Sequence, residues 1–431
     1  VTWWPKAKPF LDYLARSSFL LQRGRFVADV LYYYGDGGMN FVGPRRNPSA
    51  LGAGYDYDVV NADVILNRLS VRDGRLTLPD GTSYAMLVLP QTDAIHPPVL
   101  EKLAALVRAG GVISGARPTR ATGLQGFPES DRKVNAMATR VWGDLDGRTR
   151  TSRRLGKGRV YWGVPERKVL EELGLSPDFI APGSLDFIHR RDEPVRATAS
   201  FRGTGRRAEF WDPVNGTIRR LGAVESSNAR TDVPLALAAR GSGFVIFRAN
   251  GTSGITDDAN FSVAPVPRKT LALERNWTVD FSSRLSAPRR LELSRVEPWT
   301  RQRDPAWRYF AGSGKYRHTV SLPSGWRKDL SRVELELGRL WSIGEVWING
   351  VSQGVVWTQP FSVDCTKALR DGDNEIVVEV VGTWHNRLVG EARGELPKLT
   401  RTNVAVSQRK PWKELNVIEA GLFGPVRLVG Y

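Results

Sequence analysis

The chain has 431 residues, enough for several domains, and its composition excludes some classes of protein. With 41% apolar and 10% aromatic residues it can bury more than one hydrophobic core. No stretch approaches the roughly 18 consecutive apolar residues of a membrane-spanning helix, so we expect no membrane insertion. The one cysteine, Cys365, excludes an internal disulfide and, with only four histidines, a Cys-rich zinc module. We expect Cys365 to be a small buried residue.

The formal net charge of +17 makes nucleic acid a partner to consider. The 62 Lys and Arg residues are spread along the chain, however, and the densest run, between Arg148 and Arg159, lacks interleaved aromatic side chains that would stack on bases. We predict a solvated loop there and no nucleic-acid partner. Binding to duplex DNA that weakened steeply with salt would contradict this prediction. The charge is also compatible with an acidic polysaccharide, without requiring one.

The first 24 residues carry apolar side chains at helical spacing and end at Gly24, which predicts a helix whose apolar face needs a partner. The chain starts at Val1, without an initiator Met or an apolar leader. We therefore expect it to be a fragment of a longer protein or a processed product.

Residues 25–182 alternate strand-like and helical segments, which predicts a doubly wound α/β domain with a parallel sheet. The apolar runs 27–34 and 84–90 are predicted to be buried strands of this sheet. Residues 69–78 are predicted to form a hairpin that turns at Asp73-Gly74, and residues 58–66 a helix.

The second half of the chain has the patterns of β-structure. Residues 183–250 contain short strands separated by turn sequences, which predicts a small β-sandwich, and residues 251–269 have the composition of a linker. In residues 270–431, the segments 332–338, 345–348 and 375–381 alternate polar and apolar side chains. Asn349-Gly350 and residues 371–374 are turn sequences, so we predict antiparallel hairpins that belong to a jelly roll.

Several short sequence words carry a resemblance to a known family because they occur in the same order along nearly the whole chain. They are TWWP at 2–5, YLAR at 13–16, LLQRG at 20–24, VADVLYYYG at 27–35, GYDYDVVN at 54–61, FIHRR at 187–191, FWDP at 210–213, WHNRL at 384–388 and GLFGPV at 421–426. Together they resemble the C-terminal half of α-L-rhamnosidases of glycoside hydrolase family 106. The words WING at 347–350 and WHNR at 384–387 also resemble the sugar-binding β-domain of family 2 type glycoside hydrolases.

The resemblance implies a multidomain α/β plus all-β protein. Its parts would be residues 1–24 as the last helix of an upstream barrel, an amidotransferase-like doubly wound domain at 25–182, a small β-sandwich at 183–250, a linker at 251–269 and a galactose-binding-like jelly roll at 270–431. In class I glutamine amidotransferases a nucleophilic Cys follows a central strand. The corresponding turn here is Ser114-Gly115, so we predict a scaffold rather than an amidotransferase.

In the family that the chain resembles, an upstream (β/α)8 barrel supplies two carboxylates for an inverting hydrolysis. The resemblance therefore implies the non-catalytic half of a glycoside hydrolase acting on α-L-rhamnosides in glycans, and we assign no catalytic residue. It implies a rhamnose-containing carbohydrate partner and a periplasmic or secreted location. Calcium, as a possible cofactor, would belong to the barrel. The alternative is a free-standing carbohydrate-binding or scaffold protein without catalysis.

The candidate sugar-binding residues are Trp384, His385, Asn386 and Arg387. An aromatic face stacks on a pyranose, while imidazole, amide and guanidinium groups offer directional hydrogen bonds to hydroxyls. The alternative is that Trp384 is a core residue and that the polar side chains tie loops together. Trp347 and Trp357 are predicted to be packing residues, and Asn349 a turn residue.

Overall fold

The computed structural model describes residues 2–38, 50–181, 195–204, 207–222, 224–226, 229–238, 241–249, 256–257, 267–283, 290–402 and 410–431. The sequence word at 187–191 and most of the predicted linker lie outside these residues. Within them the fold is mostly β-structure, with few helices and several small sheets. None of the described helices is both long enough and apolar enough to cross a membrane.

The N-terminal segment is helical, as predicted. A 3₁₀ turn, Trp4–Lys6, leads into helix α1, Lys8–Leu21. Pro9 lies in the first turn of α1, where a missing backbone N–H costs no hydrogen bond.

An α/β unit follows α1. Its helices are α2 (Ala62–Asn67), α3 (Pro97–Ala109), α4 (Glu129–Trp142) and α5 (Glu166–Glu172). Its strands are β1 (Val30–Tyr33), β2 (Tyr57–Val60), β3 (Ser70–Arg72), β4 (Arg75–Thr77), β5 (Ser83–Tyr84), β6 (Met86–Val88), β7 (Ala94–Ile95), β8 (Val112–Ser114), β9 (Arg120–Ala121), β10 (Ser152–Leu155) and β11 (Gly158–Tyr161).

Six of these strands form one sheet in the order β10-β11-β8-β6-β1-β2. Only β10 is antiparallel to its neighbour; the other neighbouring pairs are parallel. Leu31 and Ile113 face one apolar cluster, which contains residues of α2, α3 and α4, whereas Val30 and Met86 face another, which contains residues of α5. Apolar clusters on both faces explain why β1 and β6 are continuous apolar runs.

Two predictions for this unit were wrong in detail. Residues 57–60 form strand β2, and helix α2 begins only at Ala62, because the side chain of Asn61 accepts a hydrogen bond from Val64 N at 3.0 Å and caps the helix. The basic run between Arg148 and Arg159 is a loop only in part, since β10 and β11 pair within it as a hairpin, although most of its basic side chains are exposed as predicted. The hairpin at Asp73-Gly74 is confirmed, because β3 pairs with β4 across these two residues.

Helix α3 carries much of the packing of this unit, which leads to a stability prediction. Leu103 of α3 is fully buried, so Leu103→Ala is expected to destabilise the unit by about 2–5 kcal/mol through lost transfer free energy and a residual cavity. The measurement is hydrogen exchange of β6 and β8 amides in increasing urea. Leu124→Ala, at an 83% exposed position, is the control and should change the free energy by less than about 0.5 kcal/mol. Equal effects of the two substitutions would contradict this packing.

Two four-stranded sheets follow, and we call them together the small β-unit. Its strands are β12 (Phe179–Ile180), β13 (Val195–Arg202), β14 (Arg207–Trp211), β15 (Ile218–Arg220), β16 (Val224–Ser226), β17 (Arg230–Leu237), β18 (Phe244–Arg248) and β19 (Thr256–Asp257). The sheet orders are β12-β13-β17-β16 and β18-β14-β15-β19. Ala199 and Val233 of the first sheet share an apolar cluster with Ala208 and Phe210 of the second.

A buried carboxylate joins the small β-unit to the α/β unit. Asp29, which precedes β1, is 1% exposed, and its two carboxylate oxygens lie 3.4 Å from Arg75 Nη2 and 3.3 Å from Arg202 Nη2. Arg202 belongs to β13 and also pairs with Asp178. A charge buried among such partners fixes the relative position of the elements that carry them, because leaving it unpaired costs several kcal/mol.

The C-terminal unit contains the remaining strands. They are β20 (Lys269–Ala272), β21 (Arg275–Ser282), β22 (Leu291–Arg295), β23 (Ser313–Leu322), β24 (Val333–Glu336), β25 (Arg339–Trp341), β26 (Ile343–Ile348), β27 (Val351–Val356), β28 (Ser362–Asp364), β29 (Gly372–Val381), β30 (Gly421–Gly424) and β31 (Arg427–Gly430). Helices α6 (Pro305–Arg308) and α7 (His385–Arg393) and the 3₁₀ turns Trp299–Arg301 and Trp412–Glu414 lie between them.

Two antiparallel sheets of this unit, β20-β31-β24-β28 and β22-β21-β23-β29-β26-β27, share one hydrophobic core, and β25 and β30 form a separate pair. The first sheet contributes Leu335 and Leu428 to the core, and the second contributes Tyr316, Val346 and Val378. The alternating apolar residues of these strands therefore point between the two sheets, as the period of two requires.

The predicted strands of this unit are confirmed as β24, β26 and β29. Asn349 and Gly350, at φ values of 50° and 78°, form the two-residue turn between β26 and β27. The prediction that residues 371–374 close a hairpin was wrong, because β28 and β29 lie in different sheets and β29 pairs with β23 and β26. Cys365 is fully buried in the core, as expected, and burial raises the pKa of its thiol to about 12.

Candidate functional site

Helix α1 lies where the small β-unit meets the C-terminal unit. The ring centroids of Phe10 and Tyr13 are 5.3 Å and 5.2 Å from that of Trp357, which follows β27. Farther along α1, Arg16 Nη1 donates hydrogen bonds of 3.1 Å and 3.2 Å to the carbonyls of Pro213 and Val214 in the small β-unit. One helix thus contacts both β-rich parts of the chain.

The turn before α1 forms one wall of a cavity of about 720 Å³, which we call the first-turn cavity. The other walls come from the ends of β21, β23 and β29 and from the start of α7. The lining residues are Thr2, Trp4, Pro5, Lys6, Ser282, Ser283, Ala311, Gly312, Ser313, Glu379, Val381 and Trp384. Tryptophan, hydroxyl, ammonium and carboxylate groups therefore converge on one space.

Lys6 holds this wall in place electrostatically. Its Nζ lies 2.5 Å from Glu345 Oε2 and 2.9 Å from Glu379 Oε2, and all three side chains are largely buried. Glu345 on β26 and Glu379 on β29 are direct cross-strand partners. Like charges in that position repel each other, so the ammonium of Lys6 offsets a repulsion built into the sheet. The same ammonium lies 5.2 Å from the ring centroid of Trp347.

The pKa values of Lys6 and Glu379 are shifted in the directions that favour their charged forms. Burial of Glu379 would raise its pKa, but hydrogen bonds from Lys6 and Ser313 outweigh burial and lower the pKa below its ordinary value of 4.5. Burial would likewise lower the pKa of Lys6, yet its hydrogen bonds to Glu345 and Glu379 raise that pKa above 10.5. Both pKa shifts favour an ionised Glu379 and a charged Lys6 at neutral pH.

Of the four residues predicted from the sequence to bind sugar, one lines the first-turn cavity and three bond to loops. Trp384, half-buried, lines the first-turn cavity, near Thr2, whose Oγ1 donates a hydrogen bond of 2.5 Å to the carbonyl of Gly382. Gly382 N in turn donates to the carbonyl of Gly312 at 2.9 Å. These contacts fix the backbone just before Trp384 against the N-terminal segment.

The three residues after Trp384 bond to neighbouring loops. His385 Nε2 lies 2.9 Å from the carbonyl of Asn416. The buried side chain of Asn386 both donates to and accepts from the backbone of Ile418, at 2.7 Å and 2.8 Å. Arg387 donates to Glu391 Oε1 at 2.6 Å and to the carbonyl of Pro397 at 2.9 Å. A sugar-binding role for these three stays a prediction, whereas their loop-tying contacts are present in the structure.

Sequence reasoning did not find Trp4, Lys6 and Glu379 as site residues. Trp4 belongs to a word that was interpreted as the start of a helix, and Glu379 to a strand pattern. Each local interpretation agrees with the structure, but the site forms only when segments more than 300 residues apart meet. In the described part of the chain, no group of three or more His, Cys, Asp and Glu side chains is placed to hold a metal ion.

The ion pairs of Lys6 with Glu345 and Glu379, which we call the Lys6 clip, lead to a testable prediction. Lys6→Met should leave Glu345 facing Glu379 without its cation and weaken the docking of α1 by about 1–3 kcal/mol. An isolated helix of this length is marginal in water, so the loss should appear as faster hydrogen exchange of α1 amides. Lys8→Met is the control, because Lys8 is 81% exposed and pairs only with Asp12 among the described residues.

The same clip sets a pH dependence. Since the folded pKa of Glu379 is depressed, its contribution is present above 4.5 and is lost as pH falls through the folded pKa. The contribution of Lys6, whose folded pKa is raised, is present below 10.5 and is lost as pH rises through the folded pKa. Exchange of α1, corrected for its intrinsic rate, should therefore be slowest between these limits. A Lys6→Met variant with unchanged exchange would contradict the clip.

Three comparisons relate this geometry to known proteins. A family model for α-L-rhamnosidase, glycoside hydrolase family 106, matches residues 1–224. The chain resembles the solved structure of a rhamnosidase from Novosphingobium sp. PP1Y, with a TM-score of 0.77 and 29% identity, over 100% of this chain and 41% of that one. It is also similar to a putative β-glucuronidase from Formosa agariphila, with 29% identity over an alignment of 266 residues; the match covers 57% of this chain and 21% of that protein. The chain thus spans less than half the length of these relatives.

Proposed function

We propose that this chain, which belongs to the α-L-rhamnosidase family of glycoside hydrolases, is the non-catalytic C-terminal half of such an enzyme. In this role it supports a catalytic barrel and lends Trp4 and Trp384 to the binding of an α-L-rhamnoside in a glycan. The observation that carries the proposal is the first-turn cavity, because it combines tryptophans with hydroxyls and one charge of each sign. A periplasmic or secreted location fits this role.

The finer division of the fold belongs to the same proposal. The strand order and the parallel pairs at 30–161 support an amidotransferase-like, doubly wound domain, and the shared core of the two C-terminal sheets supports a galactose-binding-like jelly roll. The two sheets of the small β-unit support a β-sandwich between them.

The support of a barrel is argued from α1. Its inner face packs on Trp357, yet its outer face carries Leu11, Leu14, Phe19 and Leu21, which are 42% to 76% exposed. A helix that is apolar on both faces is typically buried on both. We propose that the outer face of α1 packs against the barrel.

The contact with sugar is argued from the chemistry of the first-turn cavity. A pyranose presents an apolar face to an indole and hydroxyls to polar groups around it. Trp4 and Trp384 provide the indoles, the serines at 282, 283 and 313 provide hydroxyls, and Lys6 and Glu379 provide a charged donor and acceptor. Lys6 lies between Glu345 and Glu379, so these three groups together carry one net negative charge, which favours a neutral sugar such as rhamnose over an acidic one.

The non-catalytic role is argued from the carboxylates. An inverting hydrolase needs one carboxylic acid that stays protonated near neutral pH, which requires a raised pKa. At the first-turn cavity the pKa of Glu379 is lowered, and its carboxylate is engaged by Lys6. This supports a binding role for Glu379, and we propose that the acid and base lie elsewhere in the full enzyme.

The test is a titration with L-rhamnose together with an assay on p-nitrophenyl α-L-rhamnoside. We expect the chain to bind rhamnose without hydrolysing the glycoside. Trp384→Ala should raise the Kd about tenfold through the loss of stacking, and Trp384→Phe should restore much of the affinity. Trp341→Ala, at an exposed tryptophan outside the cavity, is the matched control.

Two outcomes would overturn the proposal. Hydrolysis by the purified chain would contradict the non-catalytic role. Rhamnose binding that is absent, or that responds equally to Trp384→Ala and Trp341→Ala, would contradict the contact with sugar.

A further inference from the structure

A second cavity, of about 930 Å³, lies between the small β-unit and the C-terminal unit, and we call it the inter-unit cavity. Its volume is at the upper end of the roughly 300–1,000 Å³ that is typical of ligand sites. The small β-unit contributes residues of β14, β15 and β17, and the C-terminal unit contributes residues of β24, β27 and β28 and the segment 357–360. It shares no lining residue with the first-turn cavity.

Trp357 provides the aromatic wall of the inter-unit cavity. Its indole is half-buried and is packed by Phe10 at an interplanar angle of 69° and by Tyr13 at 59°. Helix α1 therefore fixes the orientation of the ring from one side while the ring lines the cavity from the other. A tryptophan fixed in this way loses little side-chain entropy when a ligand stacks on it.

The charged residues of the cavity balance each other. Two arginines and two carboxylates line it, and they lie as pairs within the cavity wall. Arg219 Nη2 is 4.0 Å from Asp212 Oδ2, and Arg332 forms an ion pair with Glu334. A ligand with a net charge would have to compete with one member of each pair, so the balance favours a neutral ligand.

The remaining polar groups suit hydroxyls. The amides of Asn215 and Gln359 and the hydroxyls of Thr358 and Ser362 lie along the cavity. Amides offer donors and an acceptor in one plane, and hydroxyls serve as either, which matches the paired donor and acceptor character of sugar hydroxyls. Thr358 and Gln359 follow Trp357 directly, so the tryptophan and two of the polar side chains lie on one short segment.

We propose that the inter-unit cavity is a second carbohydrate site that binds a neutral oligosaccharide, with Trp357 as the stacking platform and Gln359 as a hydrogen-bonding partner. The volume exceeds what one pyranose needs, and therefore two or more sugar rings are accommodated. The site does not depend on the proposed rhamnosidase role, because it uses other residues and a different part of the C-terminal unit. It would let the chain hold a glycan at a point away from the first-turn cavity.

The experiment is calorimetric titration of the full chain with maltotriose, cellotriose and trigalacturonic acid, none of which contains rhamnose. We expect at least one of the two neutral trisaccharides to bind and trigalacturonic acid to bind more weakly. Gln359→Ala should raise the Kd of the neutral ligand about fivefold, and Trp357→Ala about tenfold or more. Hydrogen exchange should slow at 355–360 when the ligand is added.

Trp357→Phe is the control for misfolding. Its phenyl ring can still pack on Phe10 and Tyr13, and this variant should keep part of the affinity. Trp341→Ala is again the control and should leave the Kd unchanged. The proposal is overturned if neither neutral trisaccharide binds, if trigalacturonic acid binds more tightly than both, or if binding survives in both Trp357→Ala and Gln359→Ala. The rhamnose titration has a separate ligand and a separate tryptophan, so either proposal can fail without the other.

Discussion

Two glutamates, Glu345 and Glu379, stand directly opposite each other on neighbouring strands of the C-terminal unit, and the ammonium of Lys6 lies between them. The two carboxylates repel each other because the sheet pairs them directly. Docking of the N-terminal turn is favourable because the positive charge of Lys6 offsets this repulsion. Helix α1 begins two residues after Lys6, so these ion pairs hold its N-terminal end against the sheet.

Both candidate cavities depend on that docking. The turn before α1 supplies Trp4 and Lys6 to the first-turn cavity, and the body of α1 holds Trp357 at the inter-unit cavity. Arg16 extends the same helix onto the small β-unit through two backbone carbonyls. An element of about four turns thus positions aromatic side chains in two places, and its exposed outer face is suited to a further contact.

The sequence was informative where a pattern is local. Alternation predicted β24, β26 and β29, and Asn349-Gly350 predicted a turn, because pleat and turn geometry constrain residues within a few positions. The start of the helix expected at 58–66 was wrong because Asn61 caps the helix and the apolar periodicity does not reveal the cap.

Contacts between distant segments could not be predicted. Lys6 could not be paired with Glu379 in advance, since that requires knowing that β26 and β29 are neighbours although β27 and β28 lie between them in sequence. Of the four predicted sugar contacts, the structure brings Trp384 to a cavity and bonds the other three to loops.

The most direct test of this account is hydrogen exchange of a variant that lacks residues 1–21, compared with the full chain. Without α1 we expect faster exchange at the end of β29 and in the segment 355–360, with β1, β6 and β8 of the α/β unit unchanged. These two regions border the two cavities, and the parallel sheet has its own apolar clusters. Unchanged exchange at both regions would show that α1 does not build the cavities and would contradict the account.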